Sequence, residues 1–68
     1  MYILATTNDR NALGLITFDN GQDAMAKARR YIGAMKGYTW TFHPQPNNCG
    51  TWYGHNGVKT SRVTVAVR

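Results

Sequence analysis

Only one stretch of this chain repeats with a helical period: "NGQDAMAKARRYIGAMKG", residues 20–37. Everywhere else the apolar residues alternate or cluster in short β-rich runs. A lone helix cannot bury its apolar stripe against another helix, so it must lie on a sheet. Asn20 is a good N-cap, and Asp23 stands three residues on, in a capping-box-like position. The Asp23 carboxylate also meets the positive end of the helix dipole. Gly37 suits the C′ position, with Lys36 in the last turn. These signals predict a helix over 21–36. At about 100° per residue, Ala24, Ala28, Tyr31, Ile32 and Met35 fall on one stripe, which should pack on the sheet.

The flanking segments supply the sheet. Residues 1–7 ("MYILATT") and 13–19 ("LGLITFD") read as strands, and the cluster Asn8-Asp9-Arg10-Asn11 between them reads as a turn. In "GYTWTFHP", Tyr38, Trp40 and Phe42 alternate with Thr39, Thr41 and His43, a half-buried strand with its aromatics under the helix. Pro44 and Pro46 are expected to stop it. "NNCG" then reads as loop and "TWYGH" as a short strand. Asn56-Gly57 signals a type I′ hairpin into the final strand, "VKTSRVTVAVR". There Val63, Val65 and Val67 point one way, while Arg62, Thr64, Ala66 and Arg68 point the other. The order β-β-α-β-β-β implies an α+β fold. We expect one domain, 1–68, with a single antiparallel sheet of four to five strands and one helix packed on one face. The uncovered face should carry Thr17, Thr39, Thr41, His43, Arg62, Thr64 and Arg68. Alternation assigns faces, not neighbours, so the strand order stays open.

A chain of 68 residues buries only about 60% of the surface its unfolded form exposes. Little stability is left for a deep pocket, which argues against an enzyme and for a binding surface. Eight Lys and Arg against three acidic residues give a net charge of +5, which points to an anionic partner. No apolar run is long enough for a membrane span, and the N-terminus lacks the basic region of a signal peptide. The single cysteine fits a reducing compartment. The expectation is therefore a cytoplasmic protein, in the host cytoplasm if it is phage-encoded. Part of the charge lies on the helix face opposite the apolar stripe, where Ala26, Arg29, Arg30 and Gly33 run between Lys27 and Lys36. Gly33 in a helix interior costs about 1 kcal/mol relative to Ala. A small-residue track between arginines lets another backbone approach, although a solvated basic face would look the same.

Residues 40–59 hold both tryptophans, both histidines, both prolines and the only cysteine. His43, Cys49 and His55 are too few for a structural zinc site and lack its usual spacings, and no acidic residue follows Asp23. A Cys–His nucleophile pair would need an orienting group and a cleft that so small a sheet does not offer. No metal or cofactor is expected. Trp40 reads as core. Trp52 and Tyr53 are adjacent in one strand, so one of them faces away from the helix. An exposed aromatic near Lys59 could stack on a base or anchor a protein contact. The candidate binding residues are Lys27, Arg29, Arg30, Gly33, Lys36, Trp52, Tyr53, Lys59 and Arg62.

The layout matches none of the common nucleic-acid folds. It lacks the second helix of an RRM and the GxxG loop of a KH domain, and its helix comes one strand too early for an OB-fold. A strand hairpin, then "DAMAKARRYIGAMKG", then directly the aromatic strand "YTWTF", resembles the layout of several small phage-encoded inhibitors. These include anti-CRISPR proteins and the RNA polymerase inhibitors of podoviruses. The resemblance spans most of the chain but rests on no specific motif. It implies a non-enzymatic protein that docks on a host nucleoprotein or acidic protein surface and occludes it. Direct DNA or RNA binding through the basic helix face and last strand is the alternative. A homodimer through strand 58–68 is a third possibility.

Overall fold

A computed structural model of the chain describes residues 1–8 and 13–68. The elements are β1 (Tyr2–Asn8), β2 (Leu13–Phe18), α1 (Gly21–Ala34), β3 (Thr39–Gln45), β4 (Cys49–His55) and β5 (Thr60–Val67). All five strands form one antiparallel sheet in the order β2-β1-β5-β4-β3. The helix packs across one face, over β5, β1 and β2. This is the expected α+β architecture. β1 and β2 form the expected N-terminal pair, while residues 9–12 of the expected turn lie outside the described residues.

The helix starts as its cap dictates. Asn20 is extended, and its Oδ1 accepts from the Asp23 N–H at 2.8 Å. Gly21 is buried against the Tyr2 ring, where a Cβ would come within 2.9 Å of Cε2. The far end departs from expectation. The helix stops at Ala34, and the Met35 N–H reaches back only to the Ile32 carbonyl, at 3.2 Å. That tightened bond ends the α-helical ladder. Lys36 therefore lies beyond the last turn, and Gly37 makes the left-handed bend at φ 86°.

The core comprises Leu4, Ala24, Met25, Ala28, Trp52, Val63 and Val65. Cross-strand pairing stacks these side chains: Leu4 opposite Val65, and Val63 opposite Trp52. Tyr31, Ile32 and Trp40 pack against this cluster but stay half-buried. Tyr31 and Ile32 thus lie on the sheet side as the apolar stripe predicts, yet with Met35 they are only half-buried, and the centre of the core lies under the first two turns of the helix. Small Ala24 and Ala28 bring the helix axis close to β5, and Met25 fills the space beside them.

The helix does not extend over β3 and β4, and aromatic rings fill that side instead. Trp40 lies on Gly54 and Phe42 lies on Gly50. Phe42 also packs on Trp52, with centroids 4.4 Å apart. Phe42 remains 39% exposed, so it rims the core rather than filling it. Tyr38 stacks on Trp40 at 5.7 Å.

Three local expectations need correction. Pro44 does not stop β3, and it pairs with Gly50 inside the strand. β3 is an edge strand, where a missing N–H can face solvent without breaking a ladder. Of "NNCG", only Asn47 and Asn48 remain in the turn, with φ of 63° and 56°, and Cys49 already opens β4. Asn tolerates this left-handed region because its short side chain bonds locally. Finally, Asn56-Gly57 does not make a two-residue turn. His55 pairs with Thr60 across a four-residue loop, in which Asn56 Oδ1 accepts from the N–H groups of Val58 (3.0 Å) and Lys59 (2.7 Å). The Asn56 N–H also donates to the Lys59 carbonyl at 3.1 Å, so the backbone turn is centred on Gly57-Val58, one residue on from the dipeptide, and the Asn56 side chain reinforces it.

Candidate functional site

The sheet separates the candidate residues into two surfaces. Lys27, Arg29, Arg30 and Gly33 are exposed on the outer side of the helix, with Lys36 exposed just past its end. A Cβ at Gly33 would meet nothing within 4 Å, so the track between the arginines is open. Toward the helix start, Phe18, Asp23, Ala26, Lys27 and Arg30 line a shallow depression. The Asp23 carboxylate moderates the charge there, so the stronger cationic field lies toward Arg29 and Lys36.

The second surface is the uncovered face of the sheet. Register sets its rows. Thr7 pairs with Arg62, Arg62 with Tyr53, and Tyr53 with Thr41, so one row crosses four strands. The next row runs Ala5, Thr64, Thr51, His43, and the Thr51 and Thr64 hydroxyls lie 3.3 Å apart. Tyr53 is 48% exposed and meets the His43 ring edge-on, with centroids 5.2 Å apart. Beside Tyr53 lies a depression of about 400 Å³, lined by Thr7, Thr41, His55, Thr60 and Arg62. Its lining therefore includes a tyrosine ring, a guanidinium, an imidazole and the hydroxyls of three threonines. Neither described aspartate is on this face, since Asp19 and Asp23 flank the helix start.

Trp52 is 5% exposed and belongs to the core, which removes it from the binding candidates. The strand pleat turns it toward the helix and its neighbour Tyr53 away. Lys59 lies in the loop joining β4 and β5, near neither the helix cations nor the Tyr53 row in register. Composition marked the open face as polar and included Thr41 and Arg62. It missed Thr7 and Thr60, because only the pairing of β5 with β1 and β4 brings them to the same end. The signal that was available was the alternation itself, which puts Thr7 and Thr60 on the face opposite Leu4 and Val63.

His43, Cys49 and His55 share the open face but sit at different levels of it. His43 pairs with Thr51, Cys49 with Gln45, and His55 with Thr39. Among the described residues no three His, Cys, Asp or Glu side chains converge to hold a metal ion. Cys49 is buried, and its Sγ donates to the Asn47 carbonyl at 3.5 Å. The third possibility, pairing of two copies through the last strand, meets a topological obstacle. β5 is the central strand, and β1 and β4 occupy both of its edges. The free edges belong to β2 and β3.

Among the described residues no helix is long and apolar enough to cross a membrane. No family model matches this chain, and comparison with curated proteins and with solved structures gives no match.

Proposed function

We propose that this chain is a small non-catalytic binding protein that docks its helix on an acidic protein surface of a nucleoprotein complex and occludes it. In this reading it acts as the phage-encoded inhibitors of similar layout do. One observation carries the reading: Arg29, Arg30 and Lys36 stand exposed around the open track at Gly33, on a helix already anchored by its opposite face. A helix presented this way can approach a partner backbone closely while its arginines engage carboxylates at the rim. Rim pairs of this kind steer association more than they hold it, so the interface also needs a close apolar or backbone contact, which Gly33 permits.

The test is capture of partners from host lysate on immobilised protein, with and without nuclease. Retention after nuclease treatment, together with loss on Arg29→Glu/Arg30→Glu, is the expected result. Capture that both nuclease and Arg29→Glu/Arg30→Glu abolish would mean that the helix face binds nucleic acid directly.

A further inference from the structure

We infer that the open sheet face is a second binding site, for single-stranded nucleic acid, with one base stacked on Tyr53 and a neighbouring phosphate held by Arg62. This goes beyond helix docking and does not depend on it, since the two surfaces lie on opposite sides of the sheet. Tyr53 and Arg62 are direct cross-strand neighbours on this face, so an aromatic side chain and a guanidinium-bearing one leave the sheet one strand spacing apart, about 5 Å at the backbone. The adjoining depression of about 400 Å³ lies within the range of small-ligand sites and would admit one nucleotide unit.

Charge and chemistry select the occupant. The lining offers Arg62 and His55 as nitrogen donors, with Thr7, Thr41 and Thr60 as hydroxyls. Hydroxyls and guanidinium groups are the usual partners of phosphate and sugar oxygens. The two described aspartates, Asp19 and Asp23, flank the helix start and do not line this depression. A cationic or purely apolar ligand would leave this donor set unused. The ring is also braced: His43 packs edge-on against Tyr53 and limits its freedom before any base arrives. A tyrosine on a sheet surface cannot reach between paired bases, so the face suits unpaired ones.

Binding of labelled short oligothymidylate and oligouridylate, measured by fluorescence anisotropy at low and moderate salt, tests the assignment. Tyr53→Ala should weaken binding roughly 5- to 150-fold, the range reported by removing one stacking aromatic. Tyr53→Phe should retain binding. Arg62→Ala should weaken it and lower the salt slope by about 0.7, the value for one phosphate on a single strand. Both side chains are exposed, and an unchanged melting temperature would show that the fold survives. Absence of oligonucleotide binding at low salt would overturn the proposal. So would binding that Tyr53→Ala leaves intact but Arg29→Glu/Arg30→Glu abolishes, which would move the site to the helix. Thymidine monophosphate binding as tightly as the oligomer would identify a free-nucleotide site and overturn the single-strand assignment.

Discussion

Gly54→Ala should destabilise the domain although it adds only one methyl group. Gly54 sits within β4 with its back covered by the Trp40 ring. A Cβ there would lie 2.6 Å from Trp40 Cε3 and Cζ3 and 2.8 Å from Cδ2. Carbon atoms settle at about 3.5–4.0 Å, so the ring must retreat by roughly 1 Å. It cannot move alone, because Tyr38 stacks on it and the edge of the core lies beside it. Overpacking of this kind costs about 1–3 kcal/mol. Replacing Gly by Ala also narrows the unfolded ensemble, which returns about 0.4–1 kcal/mol where the backbone is compatible. The mid-range values leave a net loss of about 1.3 kcal/mol. For a domain of this size, each kcal/mol moves the melting temperature by about 4–8 °C, so a fall of roughly 5–10 °C is expected. Thermal unfolding followed by circular dichroism measures the fall, and tryptophan fluorescence reports whether the Trp40 environment shifts. An unchanged or raised melting temperature, with native fluorescence, would refute the seating of Trp40 on Gly54.

Gly33→Ala, by contrast, should raise the melting temperature, because the position is open and Ala is favoured in a helix by about 1 kcal/mol. The same variant should weaken partner capture if the track must admit a backbone, and capture assays read this directly. Leu4→Ala removes a side chain 2% exposed at the centre of the sheet. A cost of about 2–5 kcal/mol should leave so small a domain largely unfolded by circular dichroism at room temperature. Asn20→Ala deletes the acceptor for the Asp23 N–H and should cost about 0.5–2 kcal/mol, measured by chemical denaturation.

The element order and the two sheet faces were legible because period and alternation depend on local chemistry. The cap at Asn20 and the outward row of Arg62 and Thr64 followed from that alone. Met25 was also within reach, since it lies four residues after Gly21 and seven before Ile32, on the apolar stripe. The neighbours of each strand were not legible. Nothing local says that β5 lies between β1 and β4, and that pairing is what gathers Thr7, Arg62, Tyr53 and Thr41 into one row. Pro44 misled because its effect depends on whether a strand is at an edge, which is itself a property of the whole sheet. The choice between Trp52 and Tyr53 likewise waited on β4 being placed beside Val63.

The central position of β5 also governs when this protein can exist during its synthesis. β1 with β2 and β3 with β4 are hairpins that can form as soon as each is made, but neither touches the other. Only residues 60–67 join them, and β1 finds its second partner across nearly the whole length of the chain. Until that strand has left the ribosome, the nascent chain has two separate ribbons and a helix without a finished floor. Isolated two-stranded ribbons are marginal in water. The fold should therefore appear late and in one step, limited by closure of a long loop rather than by the fast local elements. A nascent chain stalled before Thr60 should be digested by protease along its length, and one stalled with the last strand exposed should resist.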